Sequence, residues 1–191
     1  MPCAGNAWHK ARSRHKRWLL MEITRASPGD ARPVAEIHVS AWQEAYKTIF
    51  SAEYLASLSV EKRHVWWQEV IASGTSDLLV ARAEGSVHGW LNFGPSRDGD
   101  APTNQAEVWA FYVAPAHWSM GAGRSLWLHA KQLMRQQGFA SCSLWVLEQN
   151  VRAIKFYEAA GFVADACAPR MLAREGKQLR EVRYVHPFGA C

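Results

Sequence analysis

Residues 113–123, VAPAHWSMGAG, constrain the fold of this chain more than any other stretch: a strand end breaks at Pro115 into a glycine-bearing turn that opens at once into an amphipathic helix. A residue before proline is pushed towards extended geometry, so Ala114 closes the strand. Gly121 and Gly123 permit backbone conformations, or close approaches, that a Cβ would block. Several N–H groups in the first turn of a helix have no intrahelical partner, and the macrodipole is positive there. A phosphate at this point therefore needs no dedicated lysine, and the ligand to expect is a phosphorylated cofactor. A dinucleotide fingerprint would require a third glycine, which the run from Gly121 to Leu126 lacks. A P-loop would require Gly-Lys followed by Ser or Thr, whereas Gly123 is followed by Arg124 and Ser125.

Around this segment helices and strands alternate, which predicts one α/β domain without internal repeats. A first strand is expected over 21–26. Pro28-Gly29-Asp30 then starts a helix that places Val34, Ile37 and Ala41 on one face. A second helical region spans 52–73, and strands follow at 77–84 and 87–93 about a Gly85-Ser86 turn. After an exposed loop at 95–103, the nearly unbroken apolar strand 106–114 fits a central position buried on both faces. Helix 121–137 ends at Gly138, strand 141–147 follows, and helix 150–160 ends at Gly161. Two closing strands, 162–171 and 179–187, flank Gly176.

The turn-and-helix segment resembles the acetyl-CoA signature of the GNAT N-acetyltransferase family, an apolar strand with V-x-P and then Q/R-x-x-G-x-G/A. A second block, Asn150 to Phe162 (NVRAIKFYEAAGF), matches that family's N-x-x-A-x-x-F-Y-E-x-x-G-F helix nearly position for position. The resemblance covers roughly residues 21–188. It implies a central mixed, twisted sheet of six to seven strands flanked by about four helices. It also implies acetyl transfer from acetyl-CoA to a primary amine of a small molecule or protein, by direct attack in a ternary complex.

Carried over residue by residue, the resemblance implies that the Phe111 N–H polarises the acetyl carbonyl and that the Val113 backbone pairs with the pantetheine arm. Trp118, Ser119, Met120, Gly121, Ala122, Gly123 and Arg124 form the pyrophosphate cradle. Trp118 stands where Arg or Gln is usual, so Arg124 either restores the missing charge or is a solvated surface residue. Asn150 caps its helix and contacts the pantetheine or phosphate arm, and Tyr157 donates to the departing sulfur. Reference values of about 10 for a phenol and about 8.5 for a thiol make Tyr157 a donor that steadies a thiolate rather than a strong acid. Glu107 interrupts the central strand. A carboxylate losing its solvation becomes a better proton acceptor, so Glu107 is either the general base, directly or through water, or a paired structural group. The acceptor wall is expected from Trp42, Tyr46, Phe50 and Trp90, each of which also suits the core.

Composition narrows the remaining classes. The net charge of +5 arises from Lys10, Arg12, Arg14, Lys16 and Arg17 in the first twenty residues, leaving 17 of the 22 cations against 17 acids. Residues 1–20 therefore read as a disordered basic extension and residues 21–191 as the acetyltransferase domain. Nucleic-acid association through that tail, or a non-catalytic acyl-CoA sensor, are the alternatives to an enzyme. Residues 22–113 carry seven basic against twelve acidic side chains, which suits a cationic acceptor. Cys3, Cys142, Cys167 and Cys191 show no metal or CxxC spacing, and His38, His88, His117 and His129 show no ligand pattern. No metal, no membrane span and a cytoplasmic location are expected, and a homodimer stays open.

Overall fold

The computed structural model describes residues 21–167 and 169–189, so the basic extension lies outside the described residues. Strand β1 (Glu22–Arg25) leads through a 3₁₀ turn at Pro28–Asp30 into helix α1 (Ala31–Ala45), whose buried face carries Val34, Ile37, His38 and Ala41. The expected second helix is two helices, α2 (Ala52–Ala56) and α3 (Val60–Ser73). Ser51 and Ser59 each accept a backbone N–H at the start of one of them, and such caps turn a continuous pattern into two short pieces.

Strands β2 (Asp77–Ala83), β3 (Ser86–Pro95) and β4 (Gln105–Val113) form an antiparallel meander on β1. Helix α4 (Ala122–Gln136) crosses to β5 (Ser141–Leu147), which runs parallel to β4. Helix α5 (Val151–Ala159), a two-residue β6 (Val163–Ala164), β7 (Arg170–Arg174) and β8 (Lys177–Pro187) complete the chain. The strand order is β1-β2-β3-β4-β5-β8-β6, with β7 paired to β8. The described residues thus form an eight-stranded sheet and five helices where six to seven strands and about four helices were expected; the additions are β6 and the division at Ser59.

Three apolar clusters flank the sheet. Leu126, Ala130 and Met134 of α4 pack on Leu91, Phe93, Val108 and Leu144. On the opposite face α1 and α3 bury Val34, Ile37 and Trp67 against Leu78, Val80 and Trp90. Tyr46, Phe50 and Leu55 meet Leu147 and Leu179 at the end of the sheet.

Two departures from regular pairing create the site. The β3–β4 register slips between Asn92 and Phe93, which leaves Trp109 as a bulge. The β4–β5 ladder runs only from Gln105 opposite Ser141 to Val108 opposite Leu144, and beyond it the two strands pair no further. An antiparallel neighbour on one side and a parallel one on the other, with the bulge between, open a cleft in the middle of the sheet.

Candidate active site

The cleft is a cavity of about 950 Å³ whose walls come from α1, the ends of β4 and β5, the starts of α4 and α5, and β7. Its floor is main chain. The Ala114 N–H donates to His88 O at 2.9 Å, so alternation along β4 turns the amides of Tyr112 and Ala110 towards β3 and those of Phe111 and Val113 towards the opening.

At one end lies the turn before α4. Ser119 and Gly121 adopt left-handed backbone, φ 59° and 95°, which glycine tolerates at the second position without cost. A Cβ on Gly123 would sit 3.2 Å from the Phe156 ring, so a larger residue there would press α4 away from α5. No side chain caps the N-terminus of α4. Ser119, Gly121, Gly123 and Arg124 line the cavity, whereas the Ala122 methyl is buried in the core and Met120 points outwards. These last two residues can therefore contribute only through their backbone.

Trp118 stands beside this turn. Its indole Nε1 donates to Val113 O at 2.7 Å, and the Arg152 guanidinium lies 3.9 Å from its ring centroid. Arg152 occupies the first turn of α5, where the helix dipole disfavours a cation. With Arg124 in the first turn of α4 and Lys155 one turn along α5, three cations gather at two helix N-termini that carry no acidic residue in their first turns. Such a field suits a pyrophosphate. Arg152 and Lys155 escaped the sequence reading, although an arginine two residues after a helix-capping Asn was a signal that could have found them.

The middle of the cleft holds Tyr157 and Asn150. Asn150 Oδ1 accepts from the Ala153 N–H at 3.2 Å, capping α5. Tyr157 lines the cavity between Phe111, Phe156 and Phe162, and burial raises its phenol well above the usual range. It keeps its proton and can act as a donor. Burial likewise raises Tyr46, whose hydroxyl lies within reach of Tyr112 and Asn150. The Tyr112 hydroxyl accepts from Trp42 Nε1 at 2.8 Å.

At the far end Trp42, Tyr46 and Phe50 form a ring cluster on the wall, Trp42 and Phe50 stacked at 6.0 Å. Trp90 is not part of it. It is fully buried under α1, where its Nε1 donates to Val34 O at 3.1 Å and its ring meets Trp67 at 4.6 Å. It shares a sheet face with its cross-strand partner Tyr112 but lies one strand further from the cleft. Facing the cluster, every second residue of β7 lines the cavity: Arg170, Leu172 and Arg174.

Glu107 lines the cavity and is paired. Its Oε2 accepts from the Arg97 backbone N–H at 2.9 Å and Nε at 3.3 Å, and its Oε1 accepts from Nη2 at 2.5 Å. Arg97 also lies over Trp109, 4.7 Å from the ring centroid. Both carboxylate oxygens are thus engaged by one arginine, the geometry of a paired structural group. Among the described residues no group of three or more His, Cys, Asp and Glu is placed to hold a metal.

Along one cleft the fold thus sets a splayed parallel pair, inward main-chain amides and an uncapped helix start. The family model described as Acetyltransferase (GNAT) family matches residues 33–162. The chain belongs to the GNAT family. It is 31% identical over 164 residues to an uncharacterised N-acetyltransferase, YuaI, of Bacillus subtilis, spanning 85% of this chain and 91% of that protein. It is 28% identical to the spermidine N(1)-acetyltransferase of Thermoplasma acidophilum over 77% of this chain and 91% of the relative. The same fold appears in the PaiA N-acetyltransferase of T. acidophilum, solved with coenzyme A, at a TM-score of 0.68 and 22% identity, covering 88% of this chain and 99% of that one. This GNAT protein is an N-acetyltransferase that moves acetyl from acetyl-CoA to an amine. No helix among the described residues is long and apolar enough to cross a membrane.

Proposed function

We propose that this GNAT enzyme acetylates the primary amine of a small molecule. The observation that carries the reading is that the Phe111 and Val113 amides, the uncapped start of α4 and the Trp42–Tyr46–Phe50 wall all open on one cavity. When bound, acetyl-CoA supplies an acetyl carbonyl joined to a thiol leaving group. The backbone of Ser119 to Gly123, with Arg124, Arg152 and Lys155, holds the phosphates. The Val113 amide and the Asn150 side chain align the pantetheine arm, while Trp118 has already taken one lone pair of the Val113 carbonyl.

The Phe111 N–H, free on the cavity side, would donate to the acetyl oxygen and strengthen that contact as negative charge develops there. An ammonium acceptor must first shed one proton, and water takes it, since Glu107 is occupied by Arg97. The C–N bond then forms as the C–S bond breaks. The second nitrogen-borne proton balances the one the sulfur gains, and the Tyr157 hydroxyl donates a hydrogen bond to the sulfur meanwhile. The free thiols of Cys142 and Cys167 support a cytoplasmic setting.

Calorimetric titration with coenzyme A, followed by thiol release from acetyl-CoA over a panel of amines, tests the proposal. Binding with amine-dependent thiol release is expected. Binding without release under any amine would make the domain an acyl-CoA sensor instead. Tyr157→Phe should lower kcat roughly ten- to a hundredfold at nearly constant cofactor affinity, the loss of one donor hydrogen bond to a charged atom.

A further inference from the structure

The charges of the acceptor end do not suit a polycation. Two carboxylates, Glu107 and Glu181, line the cavity, and each is already matched by an arginine. Glu107 pairs with Arg97, and Glu181 accepts from Arg170 Nε at 2.9 Å and pairs with its Nη2 at 2.8 Å. The acids counted in residues 22–113 lie mostly elsewhere: Asp30 pairs with Arg82, Asp77 with Arg25, Glu61 with Arg32, and Asp98 and Asp100 with Arg183.

Arg174 is the opposite case. Half-buried at the end of β7, it donates from Nη1 to the Tyr54 hydroxyl at 3.1 Å and lies over the Trp42 ring at 5.3 Å. Both partners are neutral, and it forms no ion pair among the described residues. A guanidinium carries five donors in a planar fork that fits a carboxylate, and one of the five is used. Its position is held from below: Lys177 Nζ donates to Ile49 O at 2.8 Å, and the Ser51 N–H donates to Glu175 at 3.1 Å, so the β7–β8 hairpin is tied to the chain between α1 and α2. The Arg174 contacts are to α1 and α2, whereas Arg124 and Arg152 lie in the first turns of α4 and α5.

Resting on the acetyl-transfer reading above, we propose that the acceptor is a primary amine that carries its own carboxylate, of the α-amino-acid type. The Arg174 fork takes the carboxylate, while Trp42 and Phe50 cover the acceptor's apolar part. A polyamine entering the same chamber would meet guanidinium groups and no uncommitted carboxylate.

The test compares thiol release from acetyl-CoA with L-amino acids, their amides and their decarboxylated amines (L-phenylalanine, L-phenylalaninamide and 2-phenylethylamine as one matched set), and with spermidine. The best amino acid should exceed its carboxylate-free counterparts at least tenfold in kcat/KM. In Arg174→Gln that ratio should collapse towards one, while Arg174→Lys retains part of it, and coenzyme A affinity by calorimetry should stay within twofold in both. Turnover of spermidine or of the decarboxylated amines equal to or above that of the amino acids would overturn the inference and leave acetyl transfer standing. Coenzyme A binding without turnover of any amino acid would overturn it too. Failure to bind coenzyme A at all would instead remove the underlying reading, and the inference with it.

Discussion

Replacing Arg152 by alanine should weaken coenzyme A binding by roughly ten- to thirtyfold. Arg152 is exposed in the first turn of α5, and it is aimed by its stack on Trp118, 3.9 Å from the ring centroid. A hydrogen bond involving a charged group contributes about 1.5–3 kcal/mol net, and each 1.4 kcal/mol is tenfold in affinity. Because Arg124 and Lys155 remain and water screens an exposed side chain, the lower half of that range applies, about 1.5–2 kcal/mol. Calorimetry at two salt concentrations reads both the affinity and its salt dependence, which should flatten in the variant. S-acetylpantetheine, which lacks the pyrophosphate and the nucleotide, should show the same KM with both proteins. Trp118→Ala frees Arg152 and removes the donor to Val113 O, so its effect should overlap that of Arg152→Ala in the double variant rather than add to it. Equal affinities of Arg152→Ala and the unaltered enzyme within twofold, with an unchanged salt slope, would refute the placement of the phosphates between the two helix starts.

Two further expectations concern buried titratable groups. Glu107→Gln should retain its pH–rate profile and lose about 1–2 kcal/mol of stability in urea, because the carboxylate is 2% exposed while the Arg97 side chain is 57% exposed and easily resolvated; a flattened alkaline-going rise in rate would make Glu107 the base after all. His38 is pushed down to about 3, chiefly by burial and then by the Arg63 charge, in a cage of Trp67, Trp90 and Tyr112. The unfolded chain binds a proton near pH 6.5 that the folded one refuses, so His38 has no effect on stability above that value and lowers it as the pH falls towards 3. The cost is ~1.4 kcal/mol per pH unit, or about 2 kcal/mol at pH 5. Urea midpoints should show this slope, and His38→Gln should reduce it; an unchanged slope would place the acid sensitivity elsewhere.

The backbone half of the site was legible because its signals are local. A proline after an apolar strand, glycines at a helix start and an Asn at a helix cap act within a few residues, and α4 and α5 begin within a residue or two of where those signals put them. The Ser59 cap was equally local, but the helical pattern on either side masked it, so α2 and α3 read as one element. The side-chain half was not legible. Glu107 and Arg97 are ten residues apart, and only the turn after β3 and the pairing of β3 with β4 bring the guanidinium onto the carboxylate. Trp42, Tyr46, Phe50 and Trp90 look alike as aromatics, yet Trp90 lies on β3, one strand back from the cleft and beneath α1, while the other three reach the cavity.

The sequence alone therefore determined the order of elements, the family and the glycine-bearing, uncapped start of α4, since backbone conformation and exposed helix amides follow from residues adjacent in the chain. Tertiary structure decided which charges face the acceptor. β7 comes opposite α1 only through the fold, and there Arg174 meets Trp42 and Tyr54 from more than a hundred residues away. Charge in a chamber depends on which side chains already have partners, and that is settled in space after the chain has packed.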